Sequence, residues 1–191
     1  VKHQCVDMDL YEKFHSTTKG KLAFEDGVLD MKLKQFYKWD DIEFEYFSTL
    51  KINYCFEEYF NNPNRTVMGD VQNHIFDTLF HEKVGDAMHY LSRALAGHSE
   101  DKNWGTYLGN RDCGKGVLYD CLKNAFGDYV EPFELLNIMY ERKRDMAEVS
   151  RKNYWMLDLE WPRLAISQEV PMNPNLQADA QMIKSICSGG D

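Results

Sequence analysis

An α/β fold is predicted for this chain on three observations. Short apolar segments alternate with helix-period segments along the second half of the sequence. A glycine-bounded loop, Gly109 to Gly114, stands between an apolar stretch and an amphipathic one. A compact apolar run, Arg163 to Val170, follows further on and reads as a second buried strand.

The composition permits a core of that kind. The 191 residues are 43% hydrophobic and 28% charged, the balance of a globular domain. No apolar run nears the length of about 18 residues that a bilayer requires, so no membrane partner is expected. The opening residues, Val1-Lys2-His3-Gln4-Cys5, are polar and lack the pattern of a secretory leader. A start without methionine suggests a processed chain or a piece of a longer one. Five cysteines without a C-x-x-C pair argue against a disulfide framework and for a reducing compartment. His74, His81 and His89 stack loosely on a helical period, but no carboxylate or cysteine completes a metal set. The net charge of −9 excludes a basic surface overall. It leaves room for a few basic loops that track a strand through a central channel.

Three regions follow in order. Residues 1–60 read as an N-terminal linker with short strands. Residues 1–20 are a polar lead-in, and Lys21 to Phe24 and Val28 to Met31 are strands joined by the turn Glu25-Asp26-Gly27. Asp40 to Phe47 and Leu50 to Tyr54 read as further extended pieces. Residues 61–100 are a helical region: an Asn/Pro loop at 61–66, then a helical pair over 67–97 with Gly97 as the C-terminal cap. Residues 101–191 are the α/β core. Trp104 to Leu108 reads as a strand, and Lys115 to Phe126 as a helix with Val117, Leu118, Cys121, Leu122 and Phe126 inward. Tyr129 to Phe133 is a second strand, and 134–160 reads as mainly helical and charged. Arg163 to Val170 is a strand and 176–187 a helix.

The loop carries the chemistry. Gly109-Asn110-Arg111-Asp112-Cys113-Gly114-Lys115-Gly116 matches G-x-x-x-x-G-K. Such a loop wraps a polyphosphate with backbone N–H groups, and the following helix points its positive end at the anion. Lys115 supplies a full positive charge for the β and γ phosphates. Position 116, usually Ser or Thr, is Gly116, so one hydroxyl ligand to Mg²⁺ is missing and water would take its place. Val117 follows in the first turn. A glycine-rich surface turn with a chance lysine remains the competing reading. A carboxylate must also end a neighbouring strand to position Mg²⁺ or the attacking water, and Glu169, after Leu164-Ala165-Ile166-Ser167-Gln168, is the candidate.

Five segments together resemble the superfamily 3 helicase part of poxvirus-type primase-helicases, found in giant DNA viruses, phages and plasmids. Lys21 to Asp30 is similar to the family's "F-x-N-G-x-x-D" segment, with Asp26 where asparagine is usual. Leu91 to Gly97 is similar to the helix ahead of the phosphate-binding loop, and Gly109 to Gly116 with Phe126 to Val130 to the Walker A unit. Arg163 to Glu169 is similar to the Walker B strand, and Lys184 to Asp191 to the start of the next motif. The resemblance implies an AAA+-like P-loop NTPase core, incomplete at its C-terminus, behind a small β-hairpin and helical region. It implies ATP and Mg²⁺ as cofactors, with Lys115 and Glu169 catalytic, Glu169 toward the metal, and Gly109 to Val117 around the nucleotide. Lys184 and Asp191 would lie near single-stranded or forked DNA. The whole protein would be a homo-hexameric ring that hydrolyses ATP during viral or phage DNA replication, in the cytoplasm and not secreted. Alone, a chain of this length would hydrolyse ATP poorly. Two other readings stand beside it: a nucleotide-binding or structural interaction module with a degenerate loop, and a small metabolite kinase, for which no lid or acceptor site is visible.

Overall fold

The computed structural model describes residues 8–61, 66–141, 154–170 and 173–188. The chain forms two compact units, Val1–Pro63 and Asn64–Asp191.

In the first unit, α1 (Met8–Thr18) occupies part of the segment expected as a polar lead-in. Its C-terminal threonines satisfy themselves locally: Thr17 Oγ1 donates to Lys13 O at 2.7 Å and Thr18 Oγ1 to Phe14 O at 2.7 Å. A polar sequence thus ends as a helix despite weak hydrophobic periodicity. Three antiparallel strands follow, β1 (Lys21–Ala23), β2 (Gly27–Asp30) and β3 (Gln35–Lys38). The expected hairpin is present, with Leu22 opposite Leu29 and Ala23 opposite Val28. Strand β3 was not expected, because its two aromatics, Phe36 and Tyr37, are adjacent rather than alternating; its register places Tyr37 opposite Val28. Gly27 is sterically required, since a Cβ there would stand 2.0 Å from Tyr37 O. Of the later extended pieces, Trp39–Asp41 is a single 3₁₀ turn, and Ile52 makes one parallel bridge with Phe24. Leu22, Ala23, Phe24, Val28 and Ile52 are the buried centre. Phe36 stacks on Phe56 at 4.7 Å, where α2 (Phe56–Phe60) begins.

The second unit opens with helices. α3 (Thr66–Val71) runs through one π-helical turn, Gln72–Phe76, into α4 (Asp77–Phe80). A 3₁₀ turn, His81–Lys83, leads to α5 (Val84–Leu95). α5 buries Ala87, Leu91 and Leu95 on one face, the i, i+4, i+8 stripe of an amphipathic helix. It ends as expected at Gly97, whose φ is +77°. There Gly97 N–H donates to Ala94 O at 2.9 Å and His98 N–H to Arg93 O at 3.1 Å, the paired bonds of a Schellman cap.

α6 (Lys115–Phe126) matches the expected helix residue for residue, and Leu118 and Leu122 are buried. Val117 departs from expectation: it is 53% exposed, because it lies off the stripe of the buried Leu118 and Leu122. β4 (Val130–Pro132) follows, then a 3₁₀ turn at Leu135–Ile138 and β5 (Met139–Glu141). The mainly helical reading of 134–160 is therefore corrected among the described residues. Beyond these lie a 3₁₀ segment, Tyr154–Leu159, and the strand β6 (Leu164–Ile166). The charged run from Arg142 to Asp145 lies outside the described residues. β6 is shorter than the expected Arg163 to Val170. β7 (Leu176–Ala178) replaces the start of the expected last helix, and α7 (Ala180–Ser188) supplies the rest. Asp179 caps α7, with Oδ1 accepting from Gln181 N and Met182 N at 3.0 Å each.

β4 and β6 pair in parallel, Val130 beside Leu164, and β5 pairs with β7 antiparallel. Tyr129, Val130, Ile138 and Leu164 form the buried centre of this mixed α/β unit. Arg163 ties it to α5: Nη1 donates to Leu95 O at 2.8 Å while the guanidinium lies 5.0 Å from the Tyr129 ring centroid. No described helix is long and apolar enough to cross a membrane.

Candidate phosphate-binding loop

The segment before the loop differs from expectation. Trp104 to Leu108 runs without regular structure and pairs with no strand among the described residues. Its apolar side chains stay partly open, Leu108 at 91% exposure. An apolar sequence becomes a strand only when a neighbour takes up its N–H and C=O groups. What holds this segment is side-chain packing from the helices of the same unit. Tyr107 meets Phe80 edge-on at 5.2 Å, and a Cβ at Gly105 would lie 3.2 Å from the Tyr90 ring. Burial, with Tyr90 beside it, pushes the Tyr107 hydroxyl up to about 12. Trp104 meets Phe133 edge-on at 6.0 Å, and Phe133 stacks on Trp155 at 6.2 Å.

From Gly109 the chain turns sharply. Asp112 and Gly114 both have positive φ, +59° and +97°, and the chain enters α6 at Lys115. Gly109 is required by packing: a Cβ there would stand 2.8 Å from Cys113 Sγ. Gly114 rests on the helical region, with Leu79 Cδ2 3.6 Å from where its Cβ would be. Because Gly114 has no side chain, the N-cap position offers no side-chain hydrogen bond to the leading N–H groups of α6. Uncapped amides at a helix start favour an anion.

Lys115 is the first residue of α6, and its ammonium folds back over the loop. Nζ donates to Gly109 O at 3.0 Å and Asn110 O at 2.8 Å, and contacts Cys113 Sγ at 3.2 Å. These contacts bring Gly109, Asn110, Cys113 and Lys115 together around one cation. Arg111 and Asp112 point away; their side chains are 95% and 89% exposed, and their 3.7 Å ion pair lies in water.

Glu169 lies three residues past β6, exposed, with its carboxylate unpartnered among the described residues. Its strand neighbours β4 rather than the segment that enters the loop, and the carboxylate makes no ion pair with Lys115. The residue from this turn that reaches the loop helix is Gln168, whose Oε1 lies 3.9 Å from the position of a Cβ on Gly116. Ser167 shapes the turn: its Oγ accepts from Leu135 N at 3.2 Å and donates to Glu169 O at 3.1 Å. Nothing local in the sequence marks Gln168, because its approach to α6 depends on the pairing of β6 with β4. The available signal was the missing side chain at Gly116, which leaves space for a neighbour.

A resident metal cage is not what this loop offers. Among the described residues, no group of three His, Cys, Asp or Glu side chains is placed to hold an ion. Mg²⁺ accompanying a nucleotide needs little from the protein, since phosphates and water supply most of its oxygen ligands. On the turn after β6, Gln168 Oε1 is the side-chain oxygen that approaches the first turn of α6, and the Glu169 side chain is exposed. Lys184 is exposed on α7, and Asp191 lies outside the described residues.

The Sputnik virophage protein named "Putative helicase V13" is 27% identical to this chain over 193 residues. The match takes in the whole of this chain and 23% of the virophage protein's length. No protein-family model matches the sequence. The chain is thus a mixed α/β protein related in sequence to a virophage protein that bears a helicase name.

Proposed function

We propose that this chain contains the nucleotide-binding part of an ATP-driven DNA helicase of the superfamily 3, primase-helicase kind. One observation carries the reading: a glycine-bounded loop folds around the Lys115 ammonium and delivers it at the uncapped start of a twelve-residue helix. In this reading a triphosphate takes the place of the carbonyl oxygens that now hold Nζ. The loop amides and the first turn of α6 bind the phosphate oxygens. Bound Mg²⁺ would offset phosphate charge and orient the γ-phosphate. Gln168 and Glu169 lie on the turn from which such an ion would be approached, and Glu169 would polarise the attacking water. Strand-directed work would fall to basic side chains such as Lys184, in a ring of identical subunits. The helicase name of the virophage relative supports the nucleic-acid side of this reading.

Lys115→Ala tests it. Removing a charge-assisted contact of this kind costs about 1.5–3 kcal/mol, so ATP affinity should fall by about tenfold to a hundredfold. The change is read by titrating a fluorescent ATP analogue. Lys123 is an unsuitable control, because its Nζ donates to Val130 O at 2.6 Å and pairs with Glu131 at 3.2 Å, tying α6 to β4. Lys83→Ala, at a lysine whose side chain is 71% exposed, serves instead and should leave affinity unchanged. Equal affinity for wild type and Lys115→Ala would sink the nucleotide reading.

A nucleotide-binding module that does not hydrolyse is the second reading, favoured by the absent hydroxyl at Gly116. Bound ATP recovered intact from the full-length protein, with Mg²⁺ and single-stranded DNA both present, would select it.

A further inference from the structure

The first turn of α6 lacks the hydroxyl that usually follows the loop lysine, and the space is not empty of oxygen. Outside the helix itself, the atom nearest to where a Cβ on Gly116 would stand is Gln168 Oε1, at 3.9 Å. A side-chain hydroxyl on residue 116 would extend one bond further from that Cβ. The carboxamide oxygen of Gln168 therefore stands within van der Waals contact of the atom from which such a hydroxyl would project. The position is built by the fold. β6 is registered against β4, Pro132 opposite Ile166, and Phe133 N–H donates to Ile166 O at 3.1 Å. Directly after it, Ser167 is fixed at both ends of its hydroxyl, to Leu135 N and Glu169 O. The next side chain is delivered to the loop helix.

We propose that Gln168 supplies, from a different strand, the neutral oxygen ligand that Gly116 does not: a direct or water-bridged contact to the Mg²⁺ that accompanies a bound nucleoside triphosphate. A carboxamide oxygen is chemically suited to this, being a hard, uncharged donor like the hydroxyl it replaces. Gly116 and Gln168 then form a compensating pair. The glycine makes room, and the glutamine fills the vacated role. This rests on the nucleotide reading above, which assigns the loop but gives Gln168 no necessary part.

The test is a double-mutant cycle read as binding, so it does not depend on turnover. A fluorescent ATP analogue is titrated against wild type, Gln168→Met, Gly116→Ser and the double variant, each with Mg²⁺ and with EDTA. Methionine keeps the length and apolar stem of glutamine but removes the oxygen, so a loss cannot be assigned to lost packing. Thermal melts of the four proteins verify folding. Gln168→Met should lower the Mg²⁺-dependent gain in affinity by about threefold to tenfold and leave binding in EDTA unchanged. Gly116→Ser in the Gln168→Met background should restore most of that gain. An equal Mg²⁺ gain in wild type and Gln168→Met overturns the inference while leaving the nucleotide reading intact, provided Lys115→Ala still weakens binding about tenfold or more. Loss of affinity in EDTA as large as that in Mg²⁺ also overturns it, since the glutamine would then act on the loop and not on the ion. Wild-type binding that ignores both Mg²⁺ and Lys115→Ala removes the nucleotide reading and this one with it.

Discussion

The carboxylate of Asp26 accepts two backbone hydrogen bonds at once, from Phe56 N at 2.8 Å and Glu57 N at 3.1 Å. Both donors belong to the opening turn of α2, which has no cap of its own because Cys55 makes no side-chain bond. Two charge-assisted bonds from one side chain close the β1–β2 turn against a segment 30 residues away in sequence. An asparagine, usual at this position in the family the sequence resembles, offers one acceptor oxygen where the carboxylate uses two, and no charge, so it would hold the two donors less strongly. Asp26→Ala should therefore destabilise the protein by about 1–2 kcal/mol, and Asp26→Asn by less, in denaturant unfolding. Equal stability of all three would remove the capping role. A second residue-scale pair responds to pH. Arg93 hydrogen-bonds Asp101 through both Nε and Nη2, the latter at 2.7 Å, and this bidentate contact holds the Asp101 carboxyl below the usual carboxylate range. A carboxylate depressed in the folded state stabilises it fully above the unfolded value of about 3.9 and loses that contribution as pH falls through the folded value. The melting temperature of wild type should thus exceed that of Asp101→Asn near about pH 6, and the gap should narrow toward about pH 3. A gap independent of pH would mean that the pair contributes through shape alone.

At the scale of the element, α5 and α6 were legible and several strands less so. α5 and α6 announce themselves through apolar period and a glycine just past the end, and both ends fall where the sequence places them. The hairpin of β1 and β2 was equally plain, because its turn carries Asp26 and Gly27 between apolar runs. Trp104 to Leu108 was misread for a physical reason: five residues of strand-like composition say nothing about whether a partner strand lies alongside. β3, β5 and β7 are not legible because each owes its form to the neighbour it pairs with. The site divides in the same way. Gly109 to Lys115 is contiguous and therefore visible in sequence, whereas the approach of Gln168 to Gly116 depends on the register of β6 against β4. Gly97 provides the test at this scale. Its φ of +77° is strained for any side chain, and a Cβ would stand 3.3 Å from Arg163 Nε. Arg163 in turn joins α5 to the β4–β6 pair. Gly97→Ala should cost about 1–2 kcal/mol, more than backbone strain at an isolated cap, because the arginine must shift as well. In an Arg163→Ala background the penalty should shrink. Additive effects of the two changes would show that the cap and the arginine are independent.

The chain is acidic, and in the helicase reading proposed above that constrains how it would meet DNA. A net charge of −9 repels a polyanion at distance, so steering by the overall field is excluded as a source of affinity. Contact with a strand must come from a small number of local cations, or from basic surface in the longer protein of the kind the virophage relative represents, of which this chain would span about a quarter. Salt dependence counts such contacts. Each phosphate neutralised on a single strand adds about −0.7 to the slope of log K against log salt concentration. A few lysines predict a shallow slope, far from the steep values of proteins with broad basic faces. Lys184, exposed on α7, is the candidate within this chain. Lys184→Ala in the full-length protein should reduce the magnitude of the slope by about 0.7 and weaken binding similarly for every strand sequence, because a phosphate contact carries no base information. Lys83→Ala, at another exposed lysine, controls for the loss of one positive charge from the molecule as a whole. Fluorescence anisotropy of a labelled oligonucleotide across a salt series gives both slopes. If Lys184→Ala and Lys83→Ala shift binding equally, the effect belongs to net charge and Lys184 touches no strand.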